Sequence, residues 1–152
     1  MDEKIELKTA ELTGPALDWA VAHATKAWEW AHEWFPTMTL DATFRGVSDD
    51  IKTYGCVVLL PRNPMRQDFQ EFCPTREWAY GGRLIEERIT ALIQEGAGLW
   101  WAHAGDRIGY GSAPLIAACR AIVADNLGDV VQVPIGLVQE SESVKAGQSG
   151  HK

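Results

Sequence analysis

The chain is short of positive charge, of cysteine and of long apolar runs, and each shortage closes off a class of function. Lys and Arg number 14 against 21 Asp and Glu, a formal net charge of −7. Nonspecific nucleic-acid binding needs a cationic footprint, so nucleic acid is not an expected partner. The three cysteines, Cys56, Cys73 and Cys119, stand 17 and 46 residues apart, which matches no zinc pattern. No apolar run approaches the ~20 residues of a membrane helix, so no membrane contact is expected. The opening "MDEKIELKTAELTG" is charged throughout and does not read as a signal peptide. The cytoplasm, with its thiols reduced, is the expected location.

Groupings that carry chemistry are equally scarce. His23 and His32 lie nine residues apart on one presumed helix, about half a turn out of phase, and cannot chelate together. His103 alternates with Trp101 along a strand. No metal or cofactor is expected from these. Cys119 falls on an apolar helix face and Cys56 inside an apolar strand, where inert burial is the default; Cys73, before a proline in a loop, reads as the exposed thiol. "GYGSAP" lacks the spacing of a nucleophile elbow, and a helix cap explains Ser112. Glu86 and Glu87 are adjacent, so only one of them can face a given site. Nothing meets the geometric demands of catalysis, and a non-enzymatic role is expected.

What the chain has in excess is tryptophan, seven in 152 residues. A chain of this length suits one domain. The pattern gives a single α+β domain over residues 1–138 with a variable insert at about 35–77, and a disordered tail over 139–152. "TGPALDWAVAHATKAWEWAHEWF" reads as a long N-terminal helix, about 14 to 34, with Thr13 as cap and Pro15 in the first turn. A kink near 25 to 29 is compatible with it. Trp28 falls on its core face, while Trp19, Trp30 and Trp34 line a second, aromatic face that reads as an interface. "YGCVVLL", 54 to 60, reads as a strand, and 61 to 77 as a proline-rich loop. "RITALIQ" and "LWWAHA" around the turn "EGAG" form a β-hairpin, which puts Trp100 and Trp101 on opposite faces. "GYGSAPLIAACRAIVADNLGD" is the clearest helix, with Ser112 as cap, Pro114 in the first turn and Gly128 in the C-terminal left-handed position. "VVQVP" reads as a short edge strand. The two helices are expected to pack on one face of a small antiparallel sheet that contains the hairpin, with "YGCVVLL" as its third strand.

"LTGPALDWAVA", "WAYGGRLIEERITAL", the following "WWA" and "GSAPLIAACRAIVADNLGDVVQVP" occur in an order that resembles the NinX-like proteins of lambdoid phages and prophages. The middle motif of that family runs close to Trp-x-x-Gly-Gly-Pro-hydrophobic-Ile-Glu. Trp78, Gly81, Gly82, Leu84, Ile85 and Glu86 fit it, and Arg83 replaces the usual proline. In the last motif Gly111, Pro114, Leu115, Ile116, Ala117, Ala118 and Arg120 fit, while Ser112, Ala113 and Cys119 depart. The likeness lies in residues 11–24 and 78–138. It implies a phage or prophage protein working inside the bacterial host, and it implies no activity.

Two functional readings stay open. In the first, the protein is an accessory factor that binds a small, nucleotide-like ligand. The paired glycines make a turn, Trp78 and Arg88 line a site beside Glu86 and Trp101, and Tyr110, Gly111 and Ser112 lead into a helix N-terminus suited to an anion. Arg120, at the edge of the buried face of the last helix, is expected to aim at Glu86. In the second, the protein binds a host protein through Trp19, Trp30 and Trp34. The tryptophan excess also allows a homo-oligomer.

Overall fold

A computed structural model describes residues 4–34, 38–41, 58–61, 70–134 and 137. Helix and strand are mixed, and the strands form three small antiparallel sheets. The architecture is set by one helix, α4 (Pro114–Leu127), which is covered on two sides.

On one side of α4 lies a three-stranded meander: β5 (Ala91–Gln94), β6 (Trp100–Ala104) and β7 (Arg107–Gly111), in that order. The β5–β6 hairpin is where the sequence places it, with Ile93 opposite Trp101 and Leu92 opposite Ala102. Its third strand is not "YGCVVLL" but β7, which pairs Trp101 with Tyr110 and Ala102 with Gly109. The glycines of β7 serve the helix, because Gly109 and Gly111 face α4. A Cβ on Gly109 would collide with the Ala117 carbonyl and the Ala121 amide. The helix returns a face of equal smallness, Ala117, Ala118 and Ala121, packed with Ala102 and Ala104. Removing side-chain bulk from both partners lets the helix axis approach the strand closely.

The opposite face of α4 is bulky. Leu115 is buried there beside Gly81, and Cys119, Ile122 and Val123 are buried in one core with Leu12, Leu17, Val21, Phe72 and Leu84. Leu127, expected on that face, is exposed. The helix starts where Pro114 needs no donor, but its cap is Ala113, and no side chain bonds to the first turn. It ends at Gly128, whose φ of 97° suits glycine alone. β8 (Val130–Pro134) follows and pairs with β1 (Lys4–Lys8), a strand hidden in the charged N-terminus.

The long N-terminal helix is two helices, α1 (Gly14–Thr25) and α2 (Ala27–Trp34). Lys26 between them is left-handed, φ 52° and ψ 55°, and its N–H bonds back to the carbonyls of Ala22 and His23. In a continuous helix the Thr25 carbonyl would accept the N–H of Glu29. Here Trp30 Nε1 donates to that carbonyl at 3.0 Å, and the Glu29 N–H turns to Lys26. The indole therefore stabilises the break. α1 packs against α4 and β8, not against the meander, so the two helices do not share one face of the sheet.

A separate sheet joins β2 (Met38–Asp41), β3 (Val58–Pro61) and β4 (Gln70–Glu71). The last residues of "YGCVVLL" are in β3, in this sheet; residues 54 to 57, Cys56 among them, lie outside the described residues. α3 (Trp78–Arg88) corrects the reading of the paired glycines. They do not make a turn; both are inside the helix, and the strand "RITALIQ" starts only at Ala91. A Cβ on Gly81 would come within 2.5 Å of the Pro74 carbonyl and 2.6 Å of Leu115 Cδ2. Glycine is required there by a close approach, not by an unusual φ. The loop that Gly81 meets is tied to α1, since buried Asp18 Oδ1 accepts the Thr75 N–H at 3.0 Å.

Candidate functional site

An open cavity of about 300 Å³ lies beside the free edge of β7. Ile108, Gly109 and Tyr110 form one wall, and Lys8, Thr9 and Ala10 the wall across from it. Ala124 and Arg120 reach it from α4, and Asp129 and Val130 close the end where β8 begins. The wall of β7 follows from its register. Ile108 and Tyr110 sit opposite His103 and Trp101. Among the described residues the strand's far edge has no neighbouring strand, and its Tyr110 carbonyl accepts from Arg120 Nη1, at 2.8 Å. The opposite wall is held by Thr9, whose N–H donates to the Asp129 carbonyl at 2.8 Å and whose hydroxyl donates to the Gly128 carbonyl at 2.7 Å.

Arg120 is the most constrained polar group here. Its Nε donates to the Leu12 carbonyl at 3.0 Å and its Nη1 to Tyr110. The expected partner, Glu86, is exposed on α3, and no ion pair joins the two. Helical phase had placed Arg120 correctly at the edge of the buried face. The groups it meets are main-chain carbonyls, one of the preceding strand and one more than a hundred residues away, which phase cannot reveal. Burial lowers the pKa of its guanidinium from the ordinary arginine value. Arginine stays charged in proteins, so a cation rests here that makes no ion pair among the described residues. The cavity's own carboxylate, Asp129, is engaged by Arg107 at 2.5 Å.

The residues expected to form one ligand site are distributed over three places. Tyr110 and Arg120 meet at the cavity. Gly111 is packed against α4, where its Cβ would press on Ile116, and Ser112 is exposed and does not cap the helix. Trp78, Gly81, Gly82, Glu86 and Arg88 belong to α3. No hydrogen bond, ion pair or ring contact links Trp78, Glu86 or Arg88 to Trp101, Tyr110 or Arg120. Trp78 is 56% exposed, with its ring beside Gly82. Trp101 lies on the outer face of the meander, between Tyr110 at 6.4 Å and His103 at 5.3 Å between ring centroids. Trp100 packs inward on the alanine cluster, so the two tryptophans do diverge as their spacing requires.

Of the tryptophans expected to line an interface on helix one, Trp19 is taken up by the core. Trp19 is only 5% exposed, inside the core, with its ring 4.0 Å from that of His23. Trp30 is half-buried, with Phe72 at 6.0 Å and its N–H spent on Thr25. The side chains of Trp28 and Trp34 lie outside the described residues. Cys73, expected to be exposed, is buried, as is Cys119. Burial, and secondarily the charge of Asp18, raises the Cys119 thiol pKa well above its ordinary value. Sequence reasoning missed Lys8, Thr9, Ile108, Asp129 and Val130 as cavity residues. The alternation in "KIELK" was a usable strand signal, and the structure shows that strand alternately exposed and half-buried.

No helix among the described residues is long and apolar enough to cross a membrane. Comparison with curated proteins finds no match. Residues 8–126 match the family model described as bacteriophage P22, NinX, and since this span is most of the chain, the protein belongs to the NinX family.

Proposed function

We propose that this NinX-family phage protein is a non-enzymatic accessory factor that binds a small ligand in the cavity beside β7. The observation that carries this reading is the cavity itself. Its volume of about 300 Å³ is at the small end of ligand pockets, which run roughly 300–1,000 Å³. Apolar Ile108, Ala124 and Val130 are combined there with a few polar groups, Lys8, Arg120 and Asp129. That mixture gives burial for most of a ligand and orientation for the rest. The paired glycines no longer support a nucleotide cradle, because packing accounts for Gly81. The test is a thermal-shift and tryptophan-fluorescence screen of the full chain against nucleotides, cyclic dinucleotides and small organic acids. A hit is expected to disappear in Ala124→Leu, which fills the cavity from α4. Silence across the panel would remove the reading.

A second reading, a module that docks on a host protein, is favoured by a different surface from the one the sequence suggested. Ile93, Ile108 and Tyr110 are all exposed, and they flank Trp101 on the outer face of the meander. Aromatic anchors of this kind are common in interface centres. Capture from host lysate that is lost in Tyr110→Ala and kept in Ala124→Leu would favour docking over the cavity.

A further inference from the structure

We infer that the ligand of this cavity is a small organic anion, a carboxylate or phosphate ester with an apolar remainder, and that Arg120 and Lys8 hold its charged end. The inference rests on the cavity reading above and adds to it the chemical class of the ligand.

Arg120 carries the argument. A guanidinium has five N–H donors in a fixed plane. The two carbonyl bonds to Leu12 and Tyr110 use two of them and hold the group in orientation, which leaves three N–H donors on a side chain of the cavity lining. The group is thus half-buried, rigid and without a counter-charge, since no ion pair to it exists among the described residues. A half-buried cation with no counter-charge is stabilised by an anion placed beside it. A carboxylate or phosphate oxygen arriving from the cavity would supply the match with charge-assisted, geometrically matched bonds. Lys8, which also lines the cavity, makes no ion pair among the described residues and adds a second cation there. The one carboxylate at the rim, Asp129, is neutralised by Arg107 and does not compete for Arg120.

The rest of the molecule limits the size of the anion. The chain as a whole carries a formal net charge of −7, so a long polyanion would be repelled beyond this local cationic spot. Ile108, Ala124 and Val130 provide the apolar surface for the remainder of the ligand.

The experiment uses probe pairs that differ mainly in charge: benzoate against benzamide, and adenosine 5′-monophosphate against adenosine. Each is titrated into the full chain by calorimetry at low and high salt. At least one acid is expected to bind ten-fold or more tightly than its neutral partner and to weaken several-fold as salt rises. Lys8→Ala, at an exposed position, is expected to reduce that affinity three- to ten-fold with unchanged thermal stability. Arg120→Lys keeps a charge but loses the fixed fork, and is expected to reduce it further; if this variant fails to fold, Lys8→Ala and the probe pairs decide. Equal binding of an acid and its neutral partner would leave the cavity reading intact and overturn the anion assignment. Failure of all four probes, together with silence in the wider screen, would remove the cavity reading and this inference with it.

Discussion

Replacing Gly81 and Gly82 with alanine, one at a time, separates the two reasons a helix can contain glycine. Both positions are inside α3, where Ala is intrinsically favoured over Gly by about 1 kcal/mol. At Gly82 the added Cβ would meet nothing nearer than Trp78 Cε3 at 3.5 Å, an ordinary contact. Gly82→Ala should therefore keep most of the propensity gain and stabilise by about 0.5–1 kcal/mol. At Gly81 the Cβ would lie 2.5 Å from the Pro74 carbonyl oxygen and 2.6 Å from Leu115 Cδ2. The first is backbone in a loop tied to Asp18, and the second belongs to a buried side chain, so neither yields cheaply. Overpacking of this kind costs about 1–3 kcal/mol, and a double clash belongs at the upper end. After the propensity gain, Gly81→Ala should destabilise by about 2 kcal/mol, which separates the two neighbours by roughly 3 kcal/mol. For a chain of this size that corresponds to a melting temperature lowered by roughly 4–8 °C in Gly81→Ala and raised by a few degrees in Gly82→Ala. Urea titration followed by circular dichroism, with thermal melts alongside, measures both. Equal shifts in the two variants, or a stabilised Gly81→Ala, would refute the packing argument and return the pair to a turn or a ligand role.

Lys26→Gly should stabilise by about 0.5–1 kcal/mol, because Lys26 holds a φ of 52° that glycine adopts without strain; a loss of stability in the urea midpoint would show that the break between α1 and α2 is not as described. Trp19→Ala should cost about 3–5 kcal/mol as a core truncation, measured by denaturant titration; a loss under 1 kcal/mol would restore Trp19 to the surface. Cys119 gives a pH test. Its thiol pKa is raised in the fold by burial and by Asp18, whereas in the unfolded chain it ionises near about 8.5. The protonated thiol's contribution is therefore full below the unfolded value and is lost as pH rises above it toward the folded value. The stability of the wild type minus that of Cys119→Ala should fall between pH 7 and pH 10 in urea titrations, and a constant difference would contradict the burial.

Much of the local structure was legible because its causes are local. Pro114 removes a donor the first turn of α4 does not need, and Gly128 takes a φ only glycine favours, so both ends of that helix could be read from the residues themselves. The hairpin is equally local, with alternating runs on either side of "EGAG", and the divergence of Trp100 and Trp101 follows from the two-residue period of a strand. The family motifs likewise stand in the sequence without any need for coordinates.

Tertiary structure decided whatever depended on a neighbour far along the chain. Gly81 and Gly109 are glycines because Pro74, Leu115 and the backbone of α4 lie against them, and sequence proximity contains none of those contacts. Trp19 is core because α1 packs against α4 and β8, whereas periodicity shows only that a second aromatic side exists. The cavity draws on β1, β7, α4 and β8, with Lys8 and Arg120 more than a hundred residues apart. Helical phase could place Arg120 at the edge of a buried face; only the packing of Leu12 and Tyr110 around it determined which carbonyls it holds.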